Sequence, residues 1–135
     1  MTSSDDPRMS ALVSGAQLAA ARAYAPYSSF AVGACVLADD GTVFSGCNVE
    51  NASYGLTVCA ERNAIFQMVA AGQQRFRAIV IYTPTAEPTP PCGACRQVLS
   101  EFSRDAVVVS VCNGPEVRRS TVAALLPDGF ELKGR

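Results

Sequence analysis

Three cysteines stand at positions where their spacing could bind a metal ion. Cys92 and Cys95 form a C-x-x-C motif at the start of a predicted helix, and Cys59 opens another predicted helix two residues before Glu61. At both helix starts, unpaired N–H groups and the helix dipole favour anionic sulfur. Three thiolates around zinc leave one tetrahedral position open for water, as in catalytic zinc sites. A carboxylate beside that water, here Glu61, can accept its proton and later deliver it.

The C-x-x-C motif taken alone has three other interpretations: a redox pair, half of a structural zinc site, or coincidence. A structural site needs four protein ligands, and the chain contains no histidine, so the fourth would be Cys35, Cys47 or Cys112. Cys35 and Cys112 lie in or beside apolar strands, which favours packing, whereas Cys47 borders a polar loop. A glutamate in the first turn of a helix can also simply complement the helix dipole.

Composition narrows the class of protein further. The 135 residues fit one domain, predicted over 1–135, and the absence of histidine excludes Ser-His-Asp triads, Cys-His dyads and His-ligated zinc. A net charge of −1 without a basic stripe argues against a nucleic-acid partner. The polar N-terminus and the lack of a long apolar run argue against a signal peptide and a membrane span. The sequence therefore predicts a cytoplasmic protein with reduced cysteines.

Hydrophobic periodicity predicts alternating helices and strands. We expect residues 1–9 and 131–135 to be flexible. Ser10 is the predicted cap of the first helix, and the pattern closes with a short helix stopped by Pro127. The successive elements are a helix (10–24), a hairpin (31–37 and 42–46), a helix (59–71), a strand (78–82), a helix (92–102), a strand (106–111) and a helix (121–126). The βαβαβ order predicts parallel neighbours in a mixed sheet, and hence a three-layer α/β/α fold.

Four segments together resemble a known family. Cys59-Ala60-Glu61-Arg62 and Pro91-Cys92-Gly93-Ala94-Cys95 are close to the signature of zinc-dependent nucleobase deaminases, in which cysteine can replace histidine. With residues 27–34 and 46–57 added, and with the second motif extended to residue 99, the pattern resembles the small, homotetrameric class of cytidine deaminases. The resemblance runs in order over residues 24–130. It implies a five-stranded mixed sheet of the cytidine deaminase type.

The resemblance also implies an activity and a set of site residues. It implies one Zn²⁺ per chain held by Cys59, Cys92 and Cys95, with Glu61 as the proton shuttle. The activity is hydrolytic deamination of cytidine and 2′-deoxycytidine to uridine and 2′-deoxyuridine, a step of pyrimidine salvage that releases ammonia.

Six further residues match substrate-binding positions of that family. Asn48 and Glu50 match residues that bind the ribose, Phe30 matches an aromatic that packs on the pyrimidine, and the backbone at Ala60 matches the segment that reads the base edge. The family assembles as a homotetramer with shared active sites. Tyr54 matches a residue that reaches a neighbouring subunit's site, and a sixth position, Phe130, matches a phenylalanine that closes a neighbour's pocket.

Arg62 has a physical role to fill beside such a metal. Zinc with three thiolates carries a net charge of about −1, which weakens its Lewis acidity, and a guanidinium that donates to the sulfurs offsets this charge. The family places an arginine at this position. The alternative for Arg62 and Arg96 is that each is an ordinary solvated helix charge.

Two rival functions stay open on the sequence. The first is a related deaminase with another substrate, such as an aminonucleoside antibiotic or a cytosine in RNA. Asn48 with Glu50 favours a free ribose, and the missing basic groove disfavours RNA. The second is a non-enzymatic zinc or redox module, which leaves Glu61 without a purpose. The chain departs from the family at Asn63, where Thr, Val or Cys is usual.

Overall fold

A computed structural model of the chain describes residues 7–132 and contains one five-stranded mixed sheet. The order across the sheet is β2-β1-β3-β4-β5. Strand β1 is antiparallel to both β2 and β3, β3 is parallel to β4, and β4 is antiparallel to β5. The strands are β1 (Gly33–Ala38), β2 (Val43–Cys47), β3 (Phe76–Tyr82), β4 (Val107–Val111) and β5 (Arg118–Thr121).

Four α-helices cover the two faces of this sheet. They are α1 (Pro7–Ala20), α2 (Ala60–Ala70), α3 (Gly93–Phe102) and the short α4 (Val122–Leu125). On one face α1 packs on Cys35 and Leu37 of β1, and on the other face α2 and α3 pack against alternate residues such as Val36. This alternation follows from the two-residue repeat of a strand. The predicted α/β/α layers are confirmed.

Strand β1 confirms one prediction from the sequence, its central position, and contradicts another, the pairing of β2 with β3. All six residues of β1 are buried, which confirms the prediction of a central strand from its continuous apolar run. The same strand lies between β2 and β3, so these two are not neighbours as the βαβαβ order suggested. Parallel pairing is confirmed for β3 and β4. The edge strand β5 escaped detection because Arg118–Thr121 is polar and mostly exposed.

The first helix differs from its prediction at both ends. It begins at Pro7, where a proline suits the first helical turn, and not at Ser10. Met9 is 4% exposed and packs in the core, and residues 7–9, which we expected to be flexible, belong to this helix. The expectations for residues 1–6 and 133–135 lie outside the described residues. The helix ends at Ala20 rather than near residue 24, since Tyr24 leaves it to exchange backbone hydrogen bonds with Asn48 and Glu50.

The connection from β3 to α3 carries the four prolines of residues 83–91 and has no helix or strand, as predicted. It brings the chain from the carboxyl end of β3 to the start of α3. The hairpin turn after β1 contains Gly41 at φ 91°, a left-handed conformation that glycine adopts without strain. None of the helices within residues 7–132 combines the length and the apolar character needed to cross a membrane.

Candidate metal and active site

Three cysteine sulfurs converge where α2 and α3 begin. Cys59 is the N-cap residue of α2, Cys92 is the N-cap residue of α3, and Cys95 lies in the first turn of α3. Their three Sγ atoms lie within 4.8 Å of one another, and Cys59 Sγ is 3.8 Å from Cys92 Sγ. Cys95 is fully buried whereas Cys92 is exposed, so the cluster is open on one side. Three soft donors with an open side fit a tetrahedral zinc that keeps one position for another ligand.

The helix that carries Cys59 is held close to the sheet edge. A side chain at Gly46 of β2 would place its Cβ 2.5 Å from the backbone nitrogen of Ala64, so only glycine permits this approach of α2. Just before α2, Val58 and Val49 exchange two backbone hydrogen bonds of 3.0 and 2.9 Å. This bridge places the Asn48–Glu50 segment beside the beginning of α2.

The thiols of the cluster interact strongly with one another. A hydrogen bond from Cys95, and smaller effects of Arg62 and Cys92, lower the pKa of Cys59 to about 5 although burial opposes the shift. The hydrogen bond to Cys59, followed by burial, raises the pKa of Cys95. The hydrogen bonds that Cys59 accepts therefore favour its thiolate form, the form in which a cysteine binds a metal ion.

Arg62 contacts the cluster directly. Its Nη2 atom donates to Cys59 Sγ at 3.4 Å, and this bond is the main cause that raises the pKa of Arg62. Among the described residues, its Nε atom is a buried donor without a partner. A guanidinium held against thiolates is what a zinc site with three negative ligands needs to moderate its charge.

Glu61 lies in the first turn of α2 and its side chain is almost completely enclosed. The residue is 5% exposed. Burial raises the pKa of Glu61 to about 7, and the charge of Cys59 adds to this effect. A carboxyl group that is buried next to a metal-binding cluster is a recognisable mark of an active site.

Asn48 and Glu50 organise the chain segment that contains Phe30. The Asn48 side chain is buried and accepts from Val32 N at 2.9 Å while it donates to Phe30 O at 2.8 Å. Glu50 accepts from Tyr27 N at 2.9 Å and also from the backbone and hydroxyl of Ser28. The hydroxyl bond is the main cause that lowers the pKa of Glu50.

The remaining predicted residues are open to solvent, except for Ala60. Phe30 is 37% exposed, and Tyr54 is 77% exposed and forms an edge-to-face pair with Tyr27 at 6.3 Å between ring centroids. A cavity of about 330 Å³ lies beside this pair and Glu50. Phe130 is 71% exposed, and its carbonyl accepts from Gln97 of α3 at 3.0 Å. Ala60 is fully buried at the start of α2.

Two residues near the site, Ser28 and Asn63, make contacts that were not predicted from the sequence. Ser28 supports Glu50 and also accepts from Phe30 N at 3.0 Å through its hydroxyl. Asn63 of α2 donates to Cys47 O at 2.8 Å, next to Asn48. The sequence did mark Asn63 as unusual, because the family usually has Thr, Val or Cys at this position.

The other cysteines have structural surroundings. Burial raises the pKa of the Cys35 thiol to about 11, so it packs in the core as a neutral group. Cys47 Sγ lies 3.6 Å from Arg22 O, and Cys112 Sγ lies 3.5 Å from Ala86 O. Within the described part of the chain, the clustered metal-binding groups are Cys59, Cys92 and Cys95 without a fourth cysteine. The structural four-cysteine zinc site is therefore not formed.

The α/β/α fold thus brings together a three-thiol cluster and a buried carboxylate, the groups that a zinc-dependent hydrolytic enzyme uses. Comparison with known proteins agrees. The family model of the cytidine and deoxycytidylate deaminase zinc-binding region matches residues 7–111. A cytidine deaminase from Sporosarcina psychrophila is 45% identical over 120 residues, which are 88% of each chain. One from Halalkalibacterium halodurans is 48% identical over 109 residues, covering 80% of this chain and 83% of that protein.

Solved structures agree with the same family. The crystal structure of a cytidine deaminase from Burkholderia pseudomallei matches with a TM-score of 0.86 and 49% identity, over 90% of this chain and 98% of that one. That of a cytidine deaminase from Mycobacterium tuberculosis matches with a TM-score of 0.80 and 43% identity, over 94% and 100%. The chain belongs to the cytidine deaminase family of zinc-binding enzymes. The family and the fold expected from the sequence motifs are thereby confirmed.

Proposed function

We propose that the enzyme converts cytidine and 2′-deoxycytidine into uridine and 2′-deoxyuridine, consuming water and releasing ammonia. The observation that carries this proposal is the cluster of three sulfurs within 4.8 Å, followed on the same helix start by the buried carboxylate of Glu61. We assign the reaction to pyrimidine salvage, because it returns free nucleosides to the uridine pool. We treat residues 1–135 as one catalytic domain.

The metal ligands in this proposal are Cys59, Cys92 and Cys95, which would hold one Zn²⁺ per chain. Zinc, when bound, supplies Lewis acidity that makes water a nucleophile near neutral pH. Arg62 donates to Cys59 at 3.4 Å and so draws charge away from the thiolates. With part of their negative charge offset in this way, the three thiolates would reduce the Lewis acidity of the metal less.

Glu61 is the proton carrier of the reaction. Its carboxylate takes one proton from the attacking water and delivers it to ring N3 of the pyrimidine, while the water oxygen bonds to C4. It then carries the remaining hydroxyl proton to the amino group, so that the C4–N bond breaks, ammonia leaves and the C4 carbonyl of the uracil ring remains. Burial supports this role, since a carboxylate shielded from bulk water transfers its proton to the substrate and not to solvent. Its place in the rigid first turn of α2 fixes it beside the cluster.

The nucleoside is recognised by Phe30, Asn48, Glu50 and the backbone at Ala60. Asn48 and Glu50 hold the Phe30 segment through five hydrogen bonds and retain further polar capacity for the ribose hydroxyls. Phe30 would pack on the pyrimidine, and the backbone at Ala60 would bind the base edge. A carboxylate beside the ribose also repels a 5′-phosphate, so nucleotides should be poor substrates.

A substrate panel tests this assignment. Zinc-loaded protein is incubated with cytidine, 2′-deoxycytidine, cytosine and cytidine 5′-monophosphate, and the products are identified by chromatography together with an ammonia assay. We expect one ammonia per uridine or deoxyuridine, with turnover of both nucleosides far above that of the base and the nucleotide. Faster turnover of cytidine 5′-monophosphate than of cytidine would contradict the role of Glu50. Zinc binding without turnover of any of the four compounds would favour a non-enzymatic zinc-binding protein.

We further propose a homotetramer in which neighbouring chains complete each pocket. The support is the exposure of two predicted pocket residues, Tyr54 at 77% and Phe130 at 71%, which a single chain leaves in solvent. Leu18 and Phe66 are exposed as well beside a groove of about 780 Å³ between α1 and α2, and exposed apolar surface of this kind favours association. Sedimentation velocity should give four chains per particle, and a fully active monomer would contradict the shared pocket.

We place this enzyme in the cytoplasm, with neither a nucleic acid nor a membrane as a partner. A site built on three thiolates needs reduced cysteines, which the cytosol maintains. The net charge of −1 gives no general attraction to phosphate backbones.

A further inference from the structure

A cavity with basic lining residues lies beside the Pro91 segment. It has a volume of about 310 Å³ and is bounded by α3, β4, β5 and α4. Its polar lining residues are Arg96, Arg118, Arg119, Ser110 and Ser120, and none of its described lining residues is acidic. Arg119 lies opposite Val109 in the β4–β5 register, so its side chain turns to the other face of the sheet. Arg96 and Arg118 are therefore the two cations that this cavity can present to a ligand.

Arg96 reaches this cavity with its charge unbalanced. Its Nε donates to Pro91 O at 2.8 Å and its Nη1 donates to Leu125 O at 3.1 Å, so both partners are neutral carbonyls. Among the arginines that line the cavity, Arg118 forms an ion pair within residues 7–132: its Nε lies 3.6 Å from a carboxylate oxygen of Glu116. Both side chains are more than half exposed. A half-solvated pair of this kind compensates little charge. The cavity therefore presents a positive potential to small anions.

Ser110 adds an independent observation. It is 2% exposed and is the fourth residue of β4, whose other four residues are valines. The two-residue repeat of the strand turns Ser110, like Val108, toward this cavity. Within the described residues, the buried polar atoms that lack a partner do not include this hydroxyl. It borders the cavity, where it can donate a hydrogen bond to a ligand.

We propose that this cavity binds a phosphate-type oxyanion, either free phosphate or the phosphate group of a nucleotide. Guanidinium groups match the geometry of phosphate oxygens, and Arg118 lies directly opposite Ser110 in the β4–β5 register, so a cation and a hydroxyl face the same anion. The site is distinct from the nucleoside pocket, where the carboxylate of Glu50 repels phosphate.

The variants that test the proposal avoid Arg96. Arg96 follows Cys95 and holds the carbonyl of Pro91, so its loss would disturb the metal cluster. Arg118→Gln removes one cation and Ser110→Ala removes the buried hydroxyl. Arg75→Gln serves as the charge-matched control, because Arg75 pairs with Asp39 and Asp105 and lines no part of this cavity.

Isothermal titration calorimetry at low ionic strength measures binding of inorganic phosphate and, separately, of uridine 5′-monophosphate to the zinc-loaded protein. Saturating uridine is present, so that the nucleoside pocket is filled. We expect phosphate to bind the native chain with a Kd of roughly 1 mM or lower, and Arg118→Gln to weaken it about tenfold. Ser110→Ala should weaken binding about threefold without lowering Tm, whereas a merely structural hydroxyl would lower Tm and leave binding unchanged.

Tighter binding of the nucleotide than of phosphate would identify a nucleotide as the ligand, and equal binding would identify free phosphate; either result supports the oxyanion site. No binding of either probe, or equal affinity in Arg118→Gln and Arg75→Gln, would overturn it. Cytidine turnover is measured on the same samples, so failure of the deaminase proposal would be visible separately.

Discussion

The two halves of the candidate site are built differently. The metal half, Cys59 to Arg62 with the C-x-x-C motif, sits at two helix starts, with Glu61 and Cys95 buried and Arg62 bonded to Cys59. The nucleoside half lies on loops, and its aromatic residues Phe30 and Tyr54 are exposed. Groups that carry out the chemical step need fixed positions and shelter from water, whereas a pocket that must admit a nucleoside needs an opening. In the proposed function, the metal half is formed within one chain, whereas the nucleoside half would be closed by its ligand and by a neighbouring subunit.

Loss of a metal ligand should give the largest effect. We expect Cys95→Ser to lose both zinc and cytidine turnover to background, because Cys95 is the buried member of the cluster. Cys112→Ser is the matched control, since Cys112 stands outside the cluster, and it should keep about one zinc per chain. Metal content by atomic emission spectrometry decides between them, and full zinc in Cys95→Ser would remove it from the ligand set.

The next largest effect separates the proton carrier from the metal. Glu61→Gln keeps the shape of the side chain but cannot accept the proton, so we expect kcat to fall roughly 100- to 10,000-fold with zinc content unchanged. Glu101→Gln, on the exposed end of α3, is the control for loss of a helix carboxylate. Near-native kcat in Glu61→Gln would end the proton-carrier assignment.

Glu50→Gln probes the nucleoside half. It removes the charge that accepts from Tyr27 and Ser28, so we expect kcat/KM for cytidine to fall about tenfold or more, mostly through KM, while zinc stays bound. Ser28→Ala is the companion variant, because it loosens Glu50 without removing its charge and should cost less. A fall in zinc content in Glu50→Gln would show that the two halves are not separable.

The proposed homotetramer with shared sites predicts rescue between variants. Tyr54→Ala and Glu61→Gln are each expected to be impaired, but mixed tetramers can contain a pocket with native residues from two chains. After dissociation and reassembly of an equimolar mixture, cytidine turnover should exceed the mean of the separate variants. Turnover equal to that mean would place Tyr54 in the pocket of its own chain or outside any pocket.

The smallest effect is expected at the hydrogen bond that joins the two halves. Asn63 of α2 donates to Cys47 O at 2.8 Å, beside Asn48, which holds the Phe30 segment. Asn63→Ala should raise KM by roughly threefold with little change in kcat, since a neutral hydrogen bond contributes about 1 kcal/mol. Kinetics at saturating cytidine would show a lowered kcat instead if Asn63 mainly supported Glu61.

The three cysteines that the sequence predicted as metal ligands lie together in the structure, and each of their two motifs is local. Cys59, Glu61 and Arg62 share one helix turn, and the C-x-x-C motif opens another, so spacing along the chain reports their spatial arrangement. The expectation that the two helix starts form one metal site came first from the combination of these motifs, and the family resemblance supported it. The nucleoside half depends on contacts between distant segments, such as Ser28 with Glu50, which no local pattern encodes.

The predictions of the fold that were wrong also concern features set by contacts between distant segments. Strand β1 lies between β2 and β3 because its residues are apolar on both faces and are buried only at the centre of the sheet. This order depends on how all five strands pair and not on any one segment. Strand β5 is polar, so its extended backbone is set by pairing with β4 and not by its own residues. Pro7 begins α1 because Met9 is buried against the sheet, a contact that only the folded chain reveals.

The most direct test measures zinc and cytidine turnover on one preparation. The purified protein is assayed, stripped with a chelator under reducing conditions, assayed again, and then titrated with Zn²⁺ while uridine and ammonia are quantified. The account predicts about one zinc per chain, loss of turnover with the metal, and recovery that is complete near one equivalent. Undiminished turnover of cytidine in the stripped protein would contradict it.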